Sequence, residues 1–579
     1  MTGFILGKNG RLLLAGGRPL IAGGAVQSSG GNSTLSALTA FYLGNTAARF
    51  NIQPNAASGN TLADVPFLFT YTGSVPVNVK ARVIDQNGVA VPGADWATLQ
   101  TVTYDDTTKV MLGYLTGVRV GAQYRREIRL GTDDTTKLTD TKIFGVGPNI
   151  VLSGQSNMQG TLSTNISVSS TVPGVTPTIN EGDFWKNNGT TMYFGCNGCI
   201  APLGAGGQNN GSSSIGGGSN LSMESGGLLA LSRIVGDRLA AKYGRKVGVG
   251  IVPWTVGGTS MSHFLPGGDF TSIYTNTGYT AGTIGMASPR NTSAPAIVWA
   301  GDYQIVAWHQ GETGSNLTRA QRFADLKTYC QMHINNVAPY GRTADKLTFL
   351  FAMMGPYGVS PSTQVPTVPY AEVLRGAVLD LVAYGATQTP PWDVRVGWTC
   401  IDLDAGLNTA DGLHMLAPQA QLSCFRLIQA INHVIDPTNV PFGGEGPKLT
   451  GAYTRSGDDI TLTVAHNGGS GLAAKTPGSP ITGWYANTAA DATGSFTGSD
   501  LTISNVTIVD STHIKITVTG APTTFFVKHC GGTTNAVNSY RPDVSNLIYD
   551  NVVYPTGANS GEQYTGMPLQ PTPTPIQIG

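Results

Sequence analysis

Hydrophobic and polar positions change their spacing twice along the chain. Up to about Gly147 they alternate, as in Val77-Asn78-Val79-Lys80-Ala81-Arg82-Val83 and Tyr124-Arg125-Arg126-Glu127-Ile128-Arg129-Leu130. A period of two marks half-buried strands, and Gln86-Asn87-Gly88 supplies a turn between such runs. Residues 58–147 are therefore expected to form a β-sandwich. Residues 1–57 hold only short apolar pieces between glycines: Phe4-Ile5-Leu6, Leu12-Leu13-Leu14 and Leu20-Ile21. Isolated hairpins of that size are marginal, so this segment reads as an attachment arm that packs on something else.

From Asn149 the period changes. Apolar runs at 150–152, 247–253, 303–308, 347–353 and 393–401 alternate with amphipathic stretches at 228–243, 318–335, 370–384 and 418–435. Strands with buried character alternating with helices predict an α/β domain over 148–440, built on a parallel, doubly wound sheet. In such sheets ligands bind beyond the carboxyl ends of the strands. Alternation returns in Ile460-Thr461-Leu462-Thr463-Val464 and His513-Ile514-Lys515-Ile516-Thr517-Val518, which predicts a second β-sandwich over 441–553. Residues 554–579 contain PTPTP at Pro571 to Pro575 and are expected to run extended along the surface.

Composition narrows the function classes. The chain has 34 Lys+Arg against 34 Asp+Glu among 579 residues, so it offers nucleic acid no electrostatic footprint. Charged residues are only 12%, against a usual quarter or so, while the 77 glycines exceed the usual share of about 7%. A neutral surface rich in hydroxyls and amides suits an extracellular or particle-bound protein that touches sugars. Lys8, Arg11, Arg18 and several glycines break every apolar run before Val26, which is not the pattern of a secretory signal. No window reaches the roughly 20 apolar residues of a membrane span, so no membrane insertion is expected. Cys196 and Cys199 form a lone CxxC without two further ligands at zinc spacing. No metal is expected there; a local disulfide or two plain thiols is the reading.

The candidate chemistry sits at strand ends. Ser153-Gly154-Gln155-Ser156-Asn157-Met158 follows the first strand, and such a strand-to-helix turn can expose Ser156 while aiming its own N–H at an oxyanion. Val256-Gly257-Gly258-Thr259-Ser260 follows the second, where absent side chains let a backbone N–H approach a ligand. Trp308-His309-Gln310-Gly311-Glu312 ends the third, with Trp308 and Gln310 on one face and His309 on the other. Finally, Asp411-Gly412-Leu413-His414 precedes a helix opened by Pro418. Three residues of spacing let Asp411 accept from Nδ1–H of His414 and leave Nε2 as a base. Each motif alone is as well explained by a turn, a cap or a packed loop. A near-miss phosphate loop at 469–476 has Ala474 where the second glycine belongs and lies among strands, so nucleotide binding is set aside.

Taken together, GQSNM, GGTS, WHQGE and DGLH, in this order at successive strand ends, resemble the motif blocks of SGNH (GDSL-like) hydrolases, in the sialate O-acetylesterase-like branch of carbohydrate esterases. The resemblance implies a flavodoxin-like parallel sheet with helices on both faces, here flanked by β-sandwich domains. It implies Ser156 as nucleophile, His414 as general base and then acid, and Asp411 as its orienter. The oxyanion hole would comprise the N–H groups of Ser156 and of Gly257 or Gly258, with the Gln310 amide. Gln310 stands where the wider family has an Asn. Gln155, Asn157 and Glu312 are candidates for substrate or supporting contacts, and His309 is a competing base. No cofactor is implied.

The resulting expectation is a serine esterase that removes O-acetyl groups from polysaccharide, carried on a phage tail fibre, spike or baseplate. It would be a homo-oligomer, such as a trimer, joined to other virion proteins through the arm. A secreted bacterial carbohydrate acetylesterase and a non-enzymatic receptor-binding adhesin on a hydrolase fold are the alternatives.

Overall fold

The structure, a computed structural model, describes residues 4–6, 12–14, 21–22, 33–39, 50–140, 144–163, 185–187, 190–192, 227–255, 260–268, 302–310, 317–354, 370–401, 414–491, 494–531, 543–555 and 563–579. It is a sheet-rich α/β chain with many strands and few helices. The middle unit comprises β1 (Asn149–Gly154), α1 (Ser156–Ser163), α2 (Gly227–Tyr243), β2 (Gly250–Thr255), β3 (Ile305–His309), α3 (Arg319–Val337), β4 (Thr348–Met353), α4 (Tyr370–Ala386), β5 (Asp393–Thr399) and α5 (Ala417–Ile435). The strands form one parallel sheet in the order β2-β1-β3-β4-β5. Every residue of β1, β3 and β4 is buried, which requires cover on both faces.

Right-handed crossovers decide which helix covers which face. The connection from β1 to β2 runs one way across the sheet and carries α1 and α2. Those from β3 to β4 and from β4 to β5 run the other way and carry α3 and α4. Contacts agree with this division: α1, α2 and α5 touch one another, and α3 touches α4.

Local sequence sets the helix starts. Thr318 caps α3: its hydroxyl accepts the Gln321 N–H at 3.2 Å, and the Gln321 side chain accepts the Thr318 N–H at 2.8 Å. In α5, Ala420, Cys424, Leu427, Ile428, Ile431 and Ile435 recur at helical spacing, and all are buried. No helix among the described residues is long and apolar enough to cross a membrane.

Two sheets precede this unit. One has the order Ile21–Ala22, Gln100–Asp105, Val110–Arg119, Leu62–Thr72, Thr34–Thr39. The other contains Phe50–Ile52, Phe144–Val146, Gly121–Leu130, Val79–Ile84 and Ala97–Thr98, with Asp133–Thr139 beside Gly121–Leu130. Three of these strands come from the segment expected as an arm. Thr34–Thr39 pairs with Leu62–Thr72, and Phe50–Ile52 pairs with Phe144–Val146. A strand added to a sheet satisfies backbone groups that an open edge would expose.

The C-terminal unit has four-stranded sheets on either side of its own core of Ile460, Leu462, Ile514, Ile516, Phe525 and Val527. Its last strand, Ile576–Ile578, pairs with Phe525–His529, and Leu569 and Ile578 are fully buried. The Pro/Thr segment expected as a surface tail therefore closes this core, because its flanking apolar residues have a sheet edge to join.

The flanking units meet opposite sides of the parallel sheet. At its amino edge, Asn51 donates to Asn149 Oδ1 at 2.9 Å, Gln53 donates to Gln304 Oε1 at 2.9 Å, and Arg342 binds both Asp302 and the Pro54 carbonyl. Near the carboxyl edge, Arg375 of α4 donates to the carbonyls of Met354 at 2.7 Å and Cys530 at 2.8 Å. Lys528 and Glu372 form a buried ion pair at 2.6 Å between the same two units. The N-terminal sandwich thus occupies the edge away from the candidate chemistry, and the C-terminal unit borders it.

Candidate active site

Parallel register brings three strand ends level. Gly154 of β1 lies beside Thr255 of β2 on one side and His309 of β3 on the other. Gly154 has φ +145°, and a Cβ there would collide with the His309 backbone oxygen. Only glycine lets the chain pass so close. The next residue exploits the approach, since the Gln155 N–H donates to the His309 carbonyl at 3.1 Å. Ser156 then opens α1. Its N–H is among the first four of the helix, which have no partner within it, and the helix dipole favours negative charge at that end.

Two further contacts assemble the edge. Gln310 Nε2 donates to Gln155 Oε1 at 3.4 Å, a long hydrogen bond between buried amides. Asn157 Oδ1 accepts the Met415 N–H at 3.1 Å. Ser156 and His414 each adjoin a member of that bonded pair, so the serine turn and the residues before α5 are fastened together across 258 positions of sequence. Ser156 and His414 are both partly exposed, whereas Gln155, Asn157 and Gln310 are buried.

Beneath this edge the helices are pinned. Thr161 of α1 donates to Ser423 Oγ of α5 at 3.1 Å, and Trp398 Nε1 of β5 donates to the same hydroxyl at 3.3 Å. Arg426 of α5 donates to the Thr399 carbonyl at 2.9 Å, at the end of β5. His309 is buried and its ring meets Trp398 edge-on at 6.1 Å, on the face opposite Trp308, which contacts Phe264 and Tyr329. Burial also removes rival nucleophiles: it pushes the Cys424 thiol up to about 12 and the Cys330 thiol well above its usual range.

Asp411, Gly257, Gly258 and Glu312 lie outside the described residues, as do Cys196 and Cys199 and nearly all of the loops after α1 and β4. The structure therefore brings together Ser156, Gln155, Asn157, Gln310 and the region of His414. Sequence reading missed Gly154, Thr161, Ser423 and Arg375 as residues that position this edge. Gly154 had a signal, being the glycine of the GQSNM block. The others are polar residues among several in their helices, and only packing reveals their partners. The near-miss phosphate loop is a strand margin: the Ser470 and Gly471 amides both donate to Asn551 Oδ1, at 2.7 and 3.0 Å.

No family model matches the chain, and no curated protein matches it. Among solved structures, the tail fibre protein gp63.1 from E. coli phage G7C aligns with 66% of this chain and 46% of its own length, at 10% identity and a TM-score of 0.25. Chitinase ChiW from Paenibacillus sp. str. FPU-7, a multi-modular enzyme expressed at the bacterial cell surface, aligns with 96% of this chain and 52% of its own, at 9% identity and a TM-score of 0.18. The chain spans about half the length of each. Neither likeness is close enough to assign a fold or an activity.

Proposed function

We propose that the chain is a serine esterase of the SGNH type, similar to the sialate O-acetylesterase-like branch, which removes O-acetyl groups from carbohydrate. The observation that carries this reading is the Asn157–Met415 hydrogen bond, which fastens the Ser156 turn to the residue after His414 at the carboxyl edge of a parallel sheet. The strand order β2-β1-β3-β4-β5 supports this reading, since in parallel sheets of that order ligands bind where the order reverses, here beside β1.

In this mechanism His414 takes the Ser156 proton as Oγ attacks the acetyl carbonyl, and Asp411 holds the imidazole in the required tautomer. The oxyanion is received by the Ser156 N–H, the Gln310 amide and an N–H of Gly257 or Gly258. His414 then protonates the departing sugar oxygen, and water, deprotonated by His414, releases acetate and restores Ser156. The buried Gln155 side chain supports Gln310, and Asn157 positions rather than binds. No step calls for a cofactor.

The decisive experiment is acetate release from p-nitrophenyl acetate and from a panel of O-acetylated polysaccharides by wild type and Ser156→Ala. Turnover lost in the variant with an unchanged circular dichroism spectrum is the expected result. Undiminished turnover in Ser156→Ala removes the assignment. Polysaccharide binding without turnover by wild type places the chain among adhesins.

The setting we propose is a virion one, as a homo-oligomeric part of a tail fibre, spike or baseplate that acts on host-surface polysaccharide. It is supported by the scarcity of charge and by β-rich units on both sides of the α/β unit. Light scattering on the full chain tests it: a trimer agrees, whereas a monomer favours a secreted acetylesterase.

A further inference from the structure

A second feature with ligand-binding character lies in the C-terminal unit, apart from the carboxyl edge of the parallel sheet. A cavity of about 610 Å³ is lined by residues 478–485, 503–507 and Asp543. That volume falls within the range of roughly 300–1,000 Å³ typical of small-molecule sites. The cavity forms where strand Trp484–Asn487 of one four-stranded sheet approaches strand Ile503–Ile508 of the other.

Ile503–Ile508 is the outermost strand of its sheet, and its register with His513–Val518 slips between Ile503 and Asn505. Bulges at sheet edges re-aim side chains and leave backbone donors and acceptors outside the ladder. The cavity therefore has main-chain hydrogen-bonding capacity on one wall.

Its side chains combine apolar and polar surface. Ile481, Ile503, Val506 and Tyr485 provide apolar surface, and Ser504, Asn505, Thr507 and Asp543 provide uncharged polar groups and one carboxylate. The Tyr485 hydroxyl accepts the Asp543 N–H at 2.9 Å and keeps its own hydrogen to donate. Among the described residues no Lys, Arg or His lines the cavity, and Asp543 is the one charged side chain. An aromatic ring beside hydroxyl, amide and carboxylate acceptors, with no cation among the described lining residues, matches a neutral sugar, which has apolar C–H faces and a rim of hydroxyls.

We infer that this cavity is a non-catalytic binding site for a neutral saccharide segment, which would hold the chain on polysaccharide independently of Ser156. The inference goes beyond the esterase reading and fails separately from it.

The test is affinity electrophoresis of the full chain through gels containing xylan, galactomannan or dextran, with heparin as the anionic comparison. Wild type, Ser156→Ala, Tyr485→Ala and Asn505→Ala are run together. Retardation of wild type and Ser156→Ala by at least one neutral polysaccharide, weakened about tenfold or more in Tyr485→Ala, is expected for loss of a central aromatic contact. Asn505 is exposed, so its variant keeps the test meaningful if Tyr485→Ala is misfolded. Turnover of p-nitrophenyl acetate should be the same in Tyr485→Ala, Asn505→Ala and wild type. No retardation by any neutral polysaccharide, retardation by heparin alone, or equal retardation of wild type and both cavity variants overturns the inference.

Discussion

The Asn157 side-chain oxygen accepts the backbone N–H of Met415, so the residue after Ser156 holds the residue after His414. Replacing Asn157 by Ala leaves a partly buried N–H without its acceptor, at a cost of about 1–3 kcal/mol. If that energy keeps His414 in place, kcat for p-nitrophenyl acetate should fall by about 5–150-fold with little change in KM. Steady-state kinetics on Asn157→Ala check this, and unchanged kcat would remove its positioning role.

Gly154 makes the serine turn possible, because φ +145° and the nearby His309 oxygen exclude a Cβ. Gly154→Ala should destabilise the fold by about 1–3 kcal/mol or more from backbone strain alone, and displace the Gln155–His309 hydrogen bond. A urea midpoint equal to that of wild type would contradict the geometry.

Gln310 is the side-chain oxyanion donor of the proposed mechanism. Gln310→Ala should lower kcat by about 10²–10³-fold, with the loss in kcat rather than KM. Equal losses in acylation and binding would make Gln310 a substrate contact instead.

Glu372 and Lys528 join the α/β and C-terminal units as a buried pair. Glu372→Gln strands the buried ammonium and should cost about 3–5 kcal/mol, whereas replacing both residues by Met should be close to neutral. Calorimetry of the two variants checks the difference. Similar losses in both would show that the attraction outweighs desolvation.

Burial holds His333 at about 3 and His529 at about 4, below the usual 6.5, so both are neutral in the fold. The unfolded chain binds more protons than the native one once pH falls below about 6.5, so stability present above that pH is lost on acidification. Each histidine contributes a slope of about 1.4 kcal/mol per pH unit. Asp302, raised to about 6 by burial against the pull of Arg342, opposes this below pH 6. The thermal midpoint should still fall between pH 7 and pH 5, and a flat or rising profile would contradict the burial of the histidines.

Periodicity alone indicated the alternation of the buried strands with α2 to α5, because buried strands and amphipathic helices leave contiguous signatures. The amphipathic stretch over 318–335 likewise located α3, whereas its Thr318–Gln321 capping box became evident only in the structure. The four motif blocks made the serine turn and the DxxH segment legible as candidate chemistry. What lay in no single stretch was decided by tertiary structure. Strands from residues 21–52 entered the first sandwich, and the final strand closed the C-terminal core, because sheet edges recruit partners regardless of their distance in sequence. Asn157 became a tie to Met415 only when the sheet placed β1 and the start of α5 on one edge, since a hydrogen bond across 258 residues leaves no mark in either segment.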